Sequence, residues 1–342
     1  MFTQLLQEII AGRDLSEEQM ADLVGKILDG QATDAQIGAF MGALAAKGES
    51  FEELTGAARE MRRKAKRIQA SSPVVVDTCG TGGDGANTFN ISTTAAFVVA
   101  GCGITVAKHG NRSVSSQCGS ADLLESLGVN LDVHPEIVEE AIHDIGIGFL
   151  FAPLYHSAMR FAAKARKEVG IRSIFNMLGP LTNPAAANCQ VLGVYAPELT
   201  EVFAQTLGSM GVKRAFVVHG HDGLDEISVC ASTRVSELQD SRVKTYDISP
   251  DRFFGDVARP DEIRGGRPDE NALITRSILE KSAQGPRRNI VLINAGAAIL
   301  AAGKADSVEE GIEKAGESID SGAAADKLQQ LALFTSQYSQ TT

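Results

Sequence analysis

Apolar positions recur at helical spacing through the first 69 residues and then change period. Met20, Leu23, Val24, Ile27 and Leu28 mark one face, Ile37, Phe40, Met41 and Leu44 the next, and Phe51, Leu54, Ala58 and Met61 a third. These runs open on the capping-box signatures Ser16-x-x-Gln19, Thr33-x-x-Gln36 and Ser50-x-x-Glu53, and two stop at Gly30 and Gly48. With the segment ahead of them they predict four helices, each too short to stand without packing on a neighbour or a partner. The basic run from Arg62 to Arg67 closes the last of them and reads as an answer to the helix dipole and solvent.

At Ser71-Ser72-Pro73 the pattern becomes extended, and strands and helices then alternate in the α/β manner. Strands at 74–77 and 104–107 lead to helices at 92–100 and about 121–127. His134-Pro135-Glu136 opens a further helix, Phe149 to Phe151 is a short strand, and 155–169 reads as one helix. Strands at 190–195 and 215–219 flank a helix at 198–209, residues 240–270 predict loops and edge strands, and two capped helices follow Val291 to Gly296. The expected fold is α/β: a small all-helical N-terminal domain, 1–69, plus a large domain, 70–342, with a central mostly parallel sheet flanked by helices. Gly179-Pro180 and Asn183-Pro184 make a rigid crossing, and a segment near 172–190 is expected to complete the helical domain.

The first strand ends at Asp77 and enters Thr78-Cys79-Gly80-Thr81-Gly82-Gly83-Asp84-Gly85, followed by Asn90 and Ser92 before an apolar helix. Glycines admit positive φ and close approach to backbone N–H groups, and the helix start adds more donors, so the loop reads as a phosphate cradle. Gly80, Gly82 and Gly85 match G-x-G-x-x-G, but the helix starts later than a dinucleotide site requires. The next strand ends in Lys108-His109-Gly110-Asn111-Arg112 instead of an acid, and no Lys-Ser or Lys-Thr follows the glycines. Two cations and a histidine at that position point to a highly charged phosphate or pyrophosphate.

A formal charge of −11 over 342 residues disfavours a general nucleic-acid binder, so an anionic substrate needs a local basic pocket or a metal. The five cysteines form no C-x-x-C pair, which fits a reducing compartment, and no segment approaches a membrane span, so a cytoplasmic protein is expected.

Asp225 and Glu226 follow a strand on the rim that carries the glycine loop. Alone they read as solvated acids of a turn; beside that loop and Ser92 they suit oxygen ligation of Mg2+. His109 reads as a positioning donor in preference to a general base, His134 and His143 as surface or capping residues, and His156, His219 and His221 remain open. Arg166 lies on a helix ahead of the Gly-Pro loop, where it either faces solvent or reaches over a pocket to bind a carboxylate.

Five motifs in one order, Asp77-Thr-x-Gly-Thr-Gly-Gly-Asp84, Phe89-Asn-Ile-Ser-Thr93, Lys108-His-Gly-Asn-Arg112 with Ser115, Ser116, Gly119 and Ser120, Asn176-x-Leu-Gly-Pro180-Leu-x-Asn-Pro184, and His219-Gly-x-Asp-Gly-Leu-Asp-Glu-Ile-Ser228, resemble the anthranilate phosphoribosyltransferases of tryptophan biosynthesis. The resemblance spans nearly the whole chain. It implies a homodimer through the helical domain and transfer of phosphoribosyl from phosphoribosyl pyrophosphate to anthranilate. The donor would be surrounded by Gly80, Gly83, Asp84, Thr88, Asn90, Ile91, Ser92, Thr93, Lys108, His109, Gly110, Asn111, Arg112, Ser113, Val114, Ser115, Ser116 and Ser120. Ser92, Asp225 and Glu226 would hold two Mg2+ ions; Gly80, Asn111 and Arg166 would contact anthranilate, with His109 and Pro180 nearby. Ser157 and Lys164 stand where prolines are expected, and Arg267 where an aspartate is common. Two other readings stay open: a pyrimidine nucleoside phosphorylase, which would work without Mg2+, and a non-enzymatic nucleic-acid binder of the same fold.

Overall fold

The computed structural model describes residues 2–113 and 117–338. The first helices are α1 (Phe2–Ile10), α2 (Glu17–Leu28), α3 (Asp34–Lys47) and α4 (Phe51–Lys64). Capping boxes at Ser16, Thr33 and Ser50 start the last three, with side chain and backbone bonded reciprocally. Then come β1 (Val75–Gly80), α5 (Ile91–Gly101), β2 (Thr105–Gly110), α6 (Ser120–Ser126), α7 (Pro135–Asp144) and β3 (Ile147–Phe151). They are followed by α8 (Ala152–Tyr155), α9 (Arg160–Val169), α10 (Ile174–Leu178), β4 (Cys189–Gly193), α11 (Leu199–Ser209), β5 (Arg214–Gly220), β6 (Thr233–Gln239) and β7 (Arg242–Ile248). The chain ends with α12 (Asp251–Phe254), α13 (Pro268–Leu279), α14 (Pro286–Ala301), α15 (Val308–Asp320) and α16 (Ala323–Ser336).

The strands form one sheet in the order β3-β2-β1-β4-β5-β6-β7, parallel through β5 and antiparallel at β6 and β7. Helices α5 and α13 to α16 cover one face with an aliphatic core centred on Ile293, Ala297 and Phe97. The other face is shared: Leu192, Val194, Ala215 and Val217 of the strands and their flank join one core with α1 to α4, α9, α10 and α11. The N-terminal helices thus bury their stripes partly against the sheet side of the molecule, which is how helices of 9 to 14 residues are stabilised. Among the described residues no helix is long and apolar enough to cross a membrane.

Three expectations change. The single helix at 155–169 is broken into α8, a 3-10 turn at Ser157–Met159 and α9. Lys66 N–H takes the Tyr155 carbonyl at 2.9 Å, and His156 sits at φ −114°, ψ 49°, so the helical ladder is interrupted there. Lys164, in α9, pairs with Asp34 of α3 at 2.8 Å. The antiparallel hairpin begins before residue 240, with β6 against β5, and turns at Asp240 and Ser241, both at positive φ as a two-residue hairpin demands. The basic run is also less solvated than its composition implies: Arg62 is largely buried and donates to the Leu181 carbonyl at 2.6 Å, and burial lowers it to about 10.

Glu53, with no exposed surface, holds the helical layer together by accepting from Leu15 N–H at 3.0 Å, Ser50 N–H at 2.9 Å and Lys47 Nζ at 2.8 Å. Removing one member of a buried pair leaves the rest unpaired, so Glu53→Ala is expected to lower unfolding free energy by about 3–5 kcal/mol. Removing the exposed Arg13 should change it by less than about 0.5 kcal/mol. Urea denaturation of the two variants checks the contrast.

Candidate active site

The carboxyl ends of β1, β4 and β5 carry a shelf. Gly80 and Gly193 are register partners, and the backbone at Asp225 is laid across them. A Cβ on Gly80 would stand 2.5 Å from Asp225 Oδ2, and one on Gly193 would overlap the Asp225 carbonyl. Glycine is required here for closeness, since neither residue is among those with positive φ. From the core side Asn294 of α14 accepts from Ile227 N–H at 3.0 Å and donates to the Ile227 carbonyl at 2.9 Å, satisfying both backbone groups of a buried residue.

Held this way, Asp225 accepts from Gly82 N–H at 2.7 Å and Glu226 from Ser92 N–H at 3.1 Å, in the first turn of α5. Both acids keep a minor part of their surface open at the cleft and are closely surrounded. Burial, then the charges of Asp84 and Glu226, hold Asp225 well above the usual carboxylate range. Burial likewise raises Glu226 to about 7, opposed by Lys108 and the Ser92 N–H. An all-oxygen cluster whose members push one another up is the environment a hard divalent cation relieves, so the residues fit Mg2+. Among the described residues no group of three or more His, Cys, Asp or Glu forms a complete cage; Mg2+ sites that add substrate phosphate and water need none.

The glycine loop turns through Gly82, Gly83 and Gly85 at φ +66°, +77° and +71°. Its far side is closed by the bridge from Thr88 to Arg264 and by Gly265 N–H on the Asn87 carbonyl at 2.9 Å. Asn90 donates to the Cys118 carbonyl at 3.1 Å and accepts from Asn271 at 3.0 Å, joining the two loops. The side chains of Ile91 and Thr93 are buried, so what they offer a ligand is backbone.

The second loop differs from a simple row of free cations. Lys108 is 4 % exposed and donates to the Thr78 carbonyl; its ammonium pulls down both Asp77 and Glu226. Arg112 is turned to α6, where Glu125 takes both its terminal nitrogens at 2.6 Å and Asp122 accepts at 3.0 Å. Asp122 also accepts from Gly119 and Ser113 N–H at 2.9 and 3.2 Å, closing the base of the loop. Asn111 Oδ1 accepts from Arg112 N–H at 2.8 Å, and its carbonyl accepts from Ser120 Oγ at 3.2 Å, whose oxygen fills the place of a Cβ on Gly110. Val114, Ser115 and Ser116 lie outside the described residues.

His109 is held by its backbone N–H to Asp77 at 3.1 Å and by Nδ1 on the Gly179 carbonyl at 3.0 Å. A carbonyl accepts, so Nδ1 carries the proton, and the buried Nε2, which has no partner among the described residues, keeps its lone pair. The one ring proton is thus spent on the Gly179 carbonyl, which leaves His109 no side-chain donor for a ligand. Burial and the neighbouring His156 ring, 5.1 Å away, hold His109 at about 3, which leaves it a weak base. Asn183 donates to Asp77 at 2.8 Å and to the Ala107 carbonyl at 2.7 Å, while Gln190 holds the Pro180 carbonyl at 2.6 Å. Arg166 lies over Phe175 at 5.7 Å, its charge disfavoured by burial, and among the described residues it pairs with no carboxylate. His219 spends Nδ1 on the Val194 carbonyl at 2.7 Å, His221 pairs with Asp247 and His143 with Asp144.

Asp77 and Asn183 stand in the sequence motifs with no role assigned to them, and Asn294 stands in none of the five. Their signal is a polar residue inside an otherwise apolar run, which a buried hydrogen bond explains.

The family described as "Glycosyl transferase family, helical bundle domain" matches residues 3–65, and "Glycosyl transferase family, a/b domain" matches 72–325. The anthranilate phosphoribosyltransferase of Desulfosudis oleivorans is 69% identical over 335 residues, 98% of this chain and 99% of that protein. Among solved structures, the Thermus thermophilus anthranilate phosphoribosyltransferase superposes with a TM-score of 0.92 at 40% identity over 97% of this chain and 99% of that one. The Saccharomyces cerevisiae enzyme, in complex with PRPP and Mg, gives 0.90 at 30% identity over 98% of each.

The shelf and the buried histidines each give a test. Gly193→Ala should cost about 2–4 kcal/mol in denaturant unfolding, because a backbone must move, whereas Gly179→Ala, with open space around it, should cost under about 1 kcal/mol. His156, held at about 4 by burial, stays neutral where the unfolded chain protonates near 6.5. The unfolded state then binds more protons and stability falls with falling pH. Wild type should lose about 2 kcal/mol more than His156→Gln between pH 7 and pH 5 in parallel urea titrations.

Proposed function

The chain belongs to the anthranilate phosphoribosyltransferase family, and from that premise we propose that it transfers the phosphoribosyl group of phosphoribosyl pyrophosphate to the amine of anthranilate, releasing pyrophosphate, in tryptophan biosynthesis. The observation that carries the reading is the Asp225-Glu226 pair pinned against the glycine loop by Gly82 and Ser92 N–H groups. Neither the phosphorylase nor the nucleic-acid reading has an observation in its favour.

The aromatic amine of anthranilate is neutral at pH 7, so the barrier lies in the charge of the leaving group and in an oxocarbenium-like C1, with little call for a base. A His109 that burial keeps weakly basic fits that demand: it lies beside the acceptor site as a neutral ring and takes no proton from the amine. Ser92, Asp225 and Glu226 would hold Mg2+, which neutralises pyrophosphate charge when bound; two ions per site is part of the proposal. The N–H groups of Gly83, Asp84 and the Asn90–Thr93 turn receive the phosphates, with Thr88, Gly110 and Ser113 beside them and Ser120 bracing Asn111; Val114, Ser115 and Ser116 are assigned to the donor by the family resemblance. Lys108, buried, acts by its field, and Arg112 reaches a phosphate by exchanging Glu125 for it. Asn111 and Arg166 orient the acceptor against Gly80, Pro180 and His109; an arginine that pairs with no carboxylate among the described residues is suited to take that of anthranilate. We also propose the two-domain division at 69/70 with a segment near 172–190 added to the helical part, a homodimer through that part, and a cytoplasmic location.

Loss of anthranilate fluorescence on mixing with phosphoribosyl pyrophosphate tests the reaction, with and without Mg2+. Wild type should consume anthranilate in a metal-dependent way, and Asp225→Ala with Glu226→Ala should lower turnover by at least about 100-fold, the scale of losing charge stabilisation in a closed site. Unchanged turnover in that double variant refutes the metal assignment.

A further inference from the structure

Arg172 belongs to none of the motif roles above and lies in the short link between α9 and α10, yet it reaches the glycine loop. Its Nη2 donates to the Gly83 carbonyl at 2.6 Å, and its guanidinium lies over the Tyr195 ring, 3.8 Å from the centroid. Tyr195 follows β4, and its N–H donates to Thr81 Oγ1 at 3.1 Å, so the platform under the arginine is fastened to the same loop. Among the described residues Arg172 pairs with no carboxylate. A Cβ on Gly83 would stand 2.7 Å from the guanidinium, so the close approach depends on glycine there.

A trans peptide is planar, with carbonyl and N–H pointing to opposite sides. Turning the Gly83 carbonyl onto Arg172 therefore directs the Asp84 N–H away from it. Gly82, Gly83 and Gly85 all occupy positive φ, so of the two residues this peptide joins only Asp84 has a side chain to resist its rotation. For an anion the two orientations differ in sign, since one presents a donor and the other a carbonyl oxygen. A charge-assisted hydrogen bond from a stacked arginine selects between them.

We propose that Arg172 is a positioning residue that locks the Gly83-Asp84 peptide with its N–H presented to the pyrophosphate, tying the donor loop to the link beside the acceptor helix. The inference rests on the pyrophosphate-binding reading of the loop. It requires Arg172 to affect the donor and to leave the acceptor alone.

Calorimetric titration with inorganic pyrophosphate in Mg2+ separates this from the transferase reaction, because it needs no anthranilate. Wild type should bind, and Arg172→Ala should bind at least about tenfold more weakly, the scale of one charged hydrogen bond. Arg172→Lys should recover part of the loss, Tyr195→Leu should weaken binding less, and the Arg172→Ala, Tyr195→Leu pair should be no weaker than Arg172→Ala alone. In turnover, Arg172→Ala should raise the KM for phosphoribosyl pyrophosphate while the KM for anthranilate stays within about twofold of wild type, and thermal midpoints should agree within about 3 °C. Equal pyrophosphate affinity in wild type and Arg172→Ala, no binding by wild type, or equal rises in both KM values overturns the assignment. Pyrophosphate binding that depends on Arg172 in a protein that leaves anthranilate unconsumed would sink the proposed reaction and keep the latch.

Discussion

The closeness of one loop backbone to two strand ends governs this molecule. Gly80 and Gly193 sit side by side in β1 and β4, and Asp225 rests on them with no room for a methyl group. Hydrogen bonds from Gly82 and Ser92 then fix the directions of the two carboxylates, and Asn294 closes the underside. A short strand-end contact of this kind sets positions to a fraction of an ångström, which a flexible acidic loop does not.

The polar interior beneath the shelf follows the same logic. Asp77, Lys108, His109 and Asn183 are buried where the parallel strands end, and each has a backbone or side-chain partner. Burial drives the carboxylate of Asp77 up and the ammonium of Lys108 draws it down, a compromise that keeps charge near the cleft without exposing it. A chain with net charge −11 thus reserves its positive charge for particular places, and the rest of the surface need not be basic.

Local rules made much of this legible. Three capping boxes and a glycine-rich strand end have signatures within a few residues, and the structure shows them where the spacing put them. The misses have long-range causes. The break before Arg160 depends on Lys66 taking a carbonyl 89 residues away in sequence, and the inward turn of Arg62 on a carbonyl at Leu181. Arg112 looked like a free cation because its acids, Asp122 and Glu125, lie a helix beyond it. Arg172 had no signal, since an arginine in a linker is chemically ordinary until the fold sets a carbonyl and a ring against it.

The crossing of α14 and α15 carries this dependence to the far side of the molecule. A side chain on Gly311 would overlap the carbonyl of Gly296, so the two helices touch backbone to backbone. Gly296 is two residues beyond Asn294, whose amide clamps the peptide next to Glu226. Genetic lesions that abolish function need not cluster around the cleft: a bulky allele at position 311 would push on α14 and act on the carboxylates at a distance. In a map of inactivating variants, that remote helical crossing belongs with the residues that touch substrate.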